Sequence, residues 1–463
     1  MVRTLSAVFV FGLFGFGFLE AQQTSVPSQS KPTGVQVSEG PGTAFQFTKV
    51  DNDLLAEVDD LDVQYEKKGL VLHDADLQAF IDTVGYRILG DRPVPEKVTF
   101  RFLVLKTAEV NAFAMPNGSV YITTGLLALL ENEAQLAAIL AHETAHVYDR
   151  HPYLENGSIR KKTVASEIIA VAAAGVPGGY ATWLAKNVAA STSQLLLVAS
   201  IYGYSREKES QADHDGIAAM TVAGYNPHAM AVTFELLDQE STFEYEPHST
   251  FYQDHPKLAT RREEALVFAD AHTPANARTG LKQDYINVVV PAMVWDINAD
   301  LESRRPRTAV ARATRLVEAF PGDARYQLLL GESYRALGAK TAIPTTSELT
   351  PYGEDLQRKQ VLKMTEQQEQ KALLNTPGSQ AALTLKENQA KAETAFLAAI
   401  QSDPQYALTY RELGFLYQDE SRFADATVNY KHYLQLVANT SLDRLRIARR
   451  IAEMEKLQSA PSH

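Results

Sequence analysis

The chain has no cysteine among its 463 residues. That excludes disulfides, thiolate catalysis, iron–sulfur clusters and cysteine-ligated zinc. Any metal site must therefore be built from histidine and carboxylate. A lipid-modified N-terminal cysteine is excluded too. A basic excess is also missing: 44 Lys and Arg stand against 56 Asp and Glu, a net charge of −12. Phosphate backbones need a positive surface, so nucleic acid is not an expected partner. Long apolar runs are scarce. Ser6–Leu19 (SAVFVFGLFGFGFL) is shorter than the roughly 20 residues a comfortable membrane span requires. With Arg3 before it, and Leu19 and Ala21 at −3 and −1 from Gln22, residues 1–21 read as a secretory signal peptide. The mature chain is then expected to be unanchored, in the periplasm or outside the cell. The Ala-rich stretch 162–202 is broken by Gly175, Pro177, Gly178 and Gly179 and interrupted by Lys186. It reads as a helix pair packed on the protein or covering the active site, and as a candidate surface for peripheral membrane contact.

What is present is the composition of a globular protein, 45% hydrophobic and 22% charged, with length for two domains. Residues 22–45, rich in Gln, Ser, Pro, Thr and Gly, form a disordered lead-in. Helical spacing of apolar residues predicts helices within 52–90. Val98–Leu105 (VTFRFLVL) reads as a strand, and Asn111–Thr124 (NAFAMPNGSVYITT) as two strands about a turn at Pro116–Gly118. Helices are predicted at Leu126–Leu130 and Glu133–Arg150. From about residue 285 to 455 the pattern becomes a helical array matching the tetratricopeptide period of about 34 residues. Pro404, Tyr410, Leu413, Gly414, Tyr417, Ala426 and Tyr430 occupy the characteristic places of one repeat. Leu330, Gly331 and Tyr334 match the first helix of another, and Ala392, Phe396 and Ala399 its second helix. An insertion at about 338–388 separates those halves. A still earlier helix, Thr308–Phe320, ends at Pro321.

The chemistry centres on His142-Glu143-Thr144-Ala145-His146, an HExxH pattern. Residues four apart on a helix share a face, so two imidazoles can reach one zinc. Glu143 is turned about 100° from His142 and is placed to act on a water as general base. The apolar approach Ala134–Ala141 (AQLAAILA) sets the motif on a buried helix. Two surface histidines on an ordinary helix would not need that approach. A catalytic zinc takes a third protein ligand and keeps an open position. Glu207, Glu209, Asp213, His214 and Asp215, all within Ser205–Gly216, are candidates. Glu209 and Asp213 share a helix face, and spacing does not say which of them would bind metal. His151 reads as a capping or hydrogen-bonding residue.

Four segments together resemble a known family: NAFAMPNGSVYITTGLL, HETAHVYDRH, SREKESQAD and HPKLATR (255–261). They are similar to the zinc metallopeptidases that include the CAAX prenyl protease and the bacterial heat-shock membrane protease. Within that family the chain resembles the soluble periplasmic, β-barrel assembly-enhancing branch with C-terminal repeats. The resemblance implies a mainly α (α+β) fold: a zincin-type domain with a small sheet at 46–275, then the helical array at 285–455. It implies one zinc held by His142, His146 and Glu209, with Glu143 catalytic and Asp213 and Arg206 in support. It also implies that the strand Ala112, Phe113, Ala114 pairs with an extended substrate, and that His255 lies near the metal, stabilising the oxyanion or plugging the site. The expected function is endopeptidase action on unfolded or misassembled envelope proteins, with the repeats recruiting clients or an envelope assembly machine. The competing expectation is a chaperone-like adaptor with a latent, plugged zinc site. A purely structural zinc site is disfavoured, because such sites are usually closed and seldom set a glutamate beside a ligand.

Overall fold

A computed structural model describes residues 45–154, 204–243, 258–303, 305–340, 380–438, 441 and 443–459. The expectations for residues 1–21, 22–44 and 162–202, for His255 and for most of the 338–388 insertion lie outside these residues. All described residues belong to one compact unit, Val35–His463. The fold is mainly α with one small sheet, as the sequence patterns predict.

Helix α1 (Lys49–Lys67) starts at Thr48, whose hydroxyl accepts from the Asp51 N–H while Asp51 accepts from the Thr48 N–H. This reciprocal cap satisfies two otherwise orphaned donors. Leu54, Val58, Leu61 and Tyr65 form its buried stripe. Helix α2 (Ala75–Leu89) is capped by Asp74 and stops at Gly90, whose φ of 57° is costly for residues with a Cβ. The sheet has the order β1-β3-β2: β1 (Arg101–Leu105) runs parallel to β3 (Ser119–Thr123), and β2 (Ala112–Ala114) pairs antiparallel with β3. At the β2–β3 turn Gly118 has φ 95°, and an added Cβ would lie 2.7 Å from the Thr99 carbonyl oxygen. One buried carboxylate ties this hairpin to α1. Asp62 accepts from Asn117 Nδ2 (2.8 Å), Ser119 Oγ (2.8 Å), Arg101 Nη2 (2.5 Å) and the Tyr121 hydroxyl.

Strand β2 is an edge of the sheet. Met115 donates to the Ser119 carbonyl and Thr123 to the Asn111 carbonyl. In antiparallel pairing the backbone groups alternate in direction. Those of Asn111, Phe113 and Met115 thus face β3, and those of Ala112 and Ala114 face the outer edge.

Helix α3 (Thr124–Leu129) leads to α4 (Glu133–Tyr148), capped by Asn132 and buried on every side from Ala134 to Tyr148. Its apolar composition permits this. After the short α5 (His151–Leu154) the described chain resumes with α6 (Arg206–Val222), α7 (His228–Phe243) and α8 (Leu258–His272). Helix α6 crosses α4 at Gly216, where an added Cβ would stand 3.2 Å from the His142 backbone nitrogen. Absence of a side chain there lets α6 bring its carboxylates to the motif.

The remaining helices are α9 (Lys282–Glu302), α10 (Pro306–Ala319), α11 (Ala324–Lys340), α12 (Gln380–Ser402), α13 (Ala407–Asp419), α14 (Phe423–Leu436) and α15 (Asp443–Ser459). Two hairpins share one contact. Gly331 of α11 meets the Phe396 ring of α12, and Gly414 of α13 meets the Tyr430 ring of α14; in each an added Cβ would come 2.4 Å from the ring. The apolar core that surrounds α4 does not end between residues 275 and 285. It continues through Tyr285, Val289, Met293, Ala309, Ala313 and Leu316 of α9 and α10. A separate core, from Leu328 to Ile451, fills the last hairpins. Arg315 of α10 donates to the carbonyls of Ala128, Leu129 and Leu130, closing the C-terminal end of α3.

Candidate metal centre

His142 and His146 stand one turn apart on α4, and Glu209 lies in the first turn of α6. Their donor atoms fall within 4.8 Å of one another, and all three residues are buried. The Nε2 atoms of the two histidines are 3.1 Å apart. Glu209 places one oxygen 3.5 Å from His142 Nε2 and the other 3.6 Å from His146 Nε2. Two imidazoles and a carboxylate converging in this way form a donor set suited to a zinc ion. A carboxylate buried this deeply needs cationic company, and the site supplies it.

The supporting groups come from α6 and α8. Asp213, one turn beyond Glu209, accepts from His142 Nδ1 at 2.9 Å. Arg261 clamps both carboxylates: its Nε and Nη2 donate to Asp213 at 2.7 and 2.6 Å, and Nη1 lies 2.6 Å from Glu209. Its guanidinium also lies 4.6 Å from the centroid of the Phe234 ring. Burial works against charge on His142, but Asp213 and Glu209 together raise its pKa to about 9. Burial opposes ionisation of Asp213 as well, yet Arg261 holds its carboxyl below the ordinary range. The arginine keeps its proton even more firmly than usual, since Asp213, Glu209 and Glu143 outweigh its own desolvation. On the other flank His146 Nδ1 lies 2.8 Å from His151 Nδ1, and Tyr204 stacks on the His146 ring at 4.0 Å. The pKa of His151 is lowered to about 4, chiefly by burial.

The structure brings the sequence candidates His142, His146, Glu209 and Asp213 together, with Glu143 next to His142 on α4. Glu143 is 1% exposed. Ala112, Phe113 and Ala114 form β2, beside α4. Arg206 is exposed at the start of α6. The arginine that reaches Glu209 and Asp213 is instead Arg261, the last residue of the HPKLATR segment. Within that segment the family resemblance implies no role for Arg261. Its signal was available: buried paired carboxylates demand a counter-charge. His214 packs on Phe268, and His228 bonds Asp270 at 2.7 Å.

Comparison with known proteins points the same way. Residues 75–267 match peptidase family M48. The chain is 27% identical over 227 residues to the beta-barrel assembly-enhancing protease of Yersinia pestis, covering 48% of this chain and 45% of that protein. The Escherichia coli K12 protein of the same name is 26% identical over 211 residues, covering 44% and 40%. The mitochondrial metalloendopeptidase OMA1 of Schizosaccharomyces pombe is 32% identical over 136 residues, covering 29% and 36%. The matches thus span about half the length, or less, of these curated relatives. The family match spans the elements that build the histidine–carboxylate cluster, and residues 75–267 of this chain are a peptidase family M48 domain.

Proposed function

We propose that this chain is a zinc metalloendopeptidase of the cell envelope, with His142, His146 and Glu209 holding the ion. The observation that carries the reading is the buried convergence of two Nε2 atoms and one carboxylate within 4.8 Å. When bound there, zinc would polarise a peptide carbonyl and acidify a water. Glu143 follows His142 in α4 and takes the proton of the attacking water on its carboxylate. It then delivers that proton to the leaving amine nitrogen as the C–N bond breaks. Arg261 and Asp213 hold Glu209 and His142 in place. Ala112 and Ala114, with backbone groups directed to the outer edge of the sheet, would pair with an extended polypeptide by strand addition. The name of two relatives, beta-barrel assembly-enhancing protease, supports the envelope assignment, and the clients of this reading are unfolded or misassembled envelope proteins. Among the described residues no helix is long and apolar enough to cross a membrane. The two matched glycine–aromatic hairpins support tetratricopeptide-like repeats that recruit a client or an assembly partner. His255 belongs to the same proposal, as the residue that stabilises the oxyanion or plugs the site.

One observation favours the second reading, a chaperone-like adaptor with a latent site. His142, Glu143, His146 and Glu209 are each at most 2% exposed, and Ala112–Ala114 are buried. A polypeptide can enter such a site only after it opens. The deciding experiment measures zinc content and casein cleavage for the wild type and for Glu143→Gln. The endopeptidase reading expects both to hold about one zinc, with cleavage reduced at least about a hundredfold in the variant. Zinc in both and cleavage by neither would favour the adaptor.

A further inference from the structure

His146 is approached from behind by a residue that the proposed reaction does not use. On an unbroken α-helix, His151 would point about 140° away from His146. The helix does break: α4 ends at Tyr148, and Arg150 takes φ 55°. A non-glycine residue seldom adopts that left-handed conformation without support. Arg150 has it, since its guanidinium lies 4.6 and 4.9 Å from the Phe45 and Phe47 ring centroids. The reversal returns His151, fully buried, to within 2.8 Å of His146, Nδ1 to Nδ1. On its far side His151 Nε2 lies 3.3 Å from Gln211 Oε1, on the helix that also carries Glu209 and Asp213.

We infer that His151, oriented by Gln211, is a positioning residue that sets the tautomer of His146. A carbonyl oxygen only accepts, so the proton of a neutral His151 resides on Nε2, directed at Gln211. Nδ1 of His151 is then bare and accepts a hydrogen bond from His146 Nδ1. With its proton on Nδ1, His146 presents the Nε2 lone pair to His142 and Glu209. Asp213 does the same for His142 by accepting from its Nδ1. Both Nε2 lone pairs are thereby aimed at one point, the arrangement a cation requires. Tyr204, stacked on the His146 ring, fixes its plane. This inference rests on reading His142, His146 and Glu209 as the metal ligands.

The test titrates metal-free, full-length protein with Zn2+ against a chromophoric chelator, with circular dichroism as the check on folding. His151→Phe fills the same space but accepts nothing, and zinc affinity should fall about 10–100-fold. His151→Asn keeps an acceptor oxygen near the position of Nδ1 and should bind within about threefold of the wild type. Gln211 is exposed, so Gln211→Ala should fold normally and still lose measurable affinity, because His151 is then free to carry its proton on Nδ1. Folded His151→Phe that binds like the wild type overturns the inference, as does His151→Asn that binds as weakly as His151→Phe. If His151→Phe does not fold, unchanged affinity in Gln211→Ala overturns it instead. A wild type that takes up no zinc would reject the metal-site reading itself.

Discussion

Arg261 is 5% exposed and lies within 2.7 Å of carboxylate oxygens on both Glu209 and Asp213. Removing one member of a buried charge group leaves the others uncompensated, at a cost of about 3–5 kcal/mol. Arg261→Leu should therefore lose stability of that size in urea unfolding of the metal-free protein, and zinc affinity should fall with it. Arg261→Lys keeps the charge but not the planar fork, so only part of the loss should return. Equal stability of wild type and Arg261→Leu would remove the clamp from the account. Among the site residues, the HExxH glutamate and histidines were legible in the sequence because helix geometry alone puts them on adjoining faces. Glu209 was one of several spacing-allowed candidates until the family resemblance singled it out. Arg261 was not assigned, because it lies 48 positions from Asp213 along the chain and no local periodicity joins them.

At the scale of elements, the hairpins of the C-terminal region are held by glycine–aromatic contacts and by charges between their first helices. Glu332 on α11 is packed near Glu412 on α13, with Arg335 and Arg411 close by. Burial first, and then the Glu412 charge, raises the Glu332 pKa to about 7. In the unfolded chain an ordinary glutamate titrates near about 4.3. Between those values the folded state holds a proton that the unfolded state has released. The contribution to stability is therefore present at low pH and is lost as pH rises through about 7. Glu332→Gln should flatten the fall in melting temperature between about pH 5 and pH 8, and should stabilise the protein by about 1–2 kcal/mol at the upper end. A pH profile indistinguishable from the wild type would show that Glu332 does not titrate in this window. The helices were legible here from their apolar spacing, and Gly331 and Gly414, matched there to repeat positions, both face rings, as close approach requires. The matching of α11 with α12 across an interval of some forty residues was inferred from pattern alone.

At the scale of the whole molecule, the peptidase-like core and the first helices after it are one packed body. Tyr285 donates to the Leu127 carbonyl at 2.9 Å, and Arg315 closes the end of α3. Arg312 joins buried Asp296 and Asp300 of α9 to Glu240 of α7. A chain ending at Gly280 would expose the partners of Tyr285, Ile286, Val289 and Met293, each side chain worth about 1.5–3 kcal/mol of burial. Such a truncation should give aggregated protein or one without a cooperative melt. A soluble 1–280 fragment melting at the temperature of the full chain would refute the shared core. The composition changes near 285, and beyond that point α9 packs on α2 and α3 while α10 reaches the end of α3 through Arg315. Sequence shows where a pattern changes. Whether the core also ends there depends on which faces are left apolar once the elements meet.

The sequence by itself determined the local matters. Capping residues, apolar spacing and the glycine at the β2–β3 turn fix which segments become helices and strands. The four-residue interval in HExxH fixes the relation of His142 to His146, because dihedral preferences and helical pitch act over a few residues. Tertiary structure alone decided which carboxylate oxygens meet those histidines, which arginine neutralises them, and how His151 comes back to His146 through the left-handed turn at Arg150. Those contacts depend on the crossing of α4, α6 and α8, an arrangement set by side-chain packing over the whole core and not encoded in any single stretch of the chain.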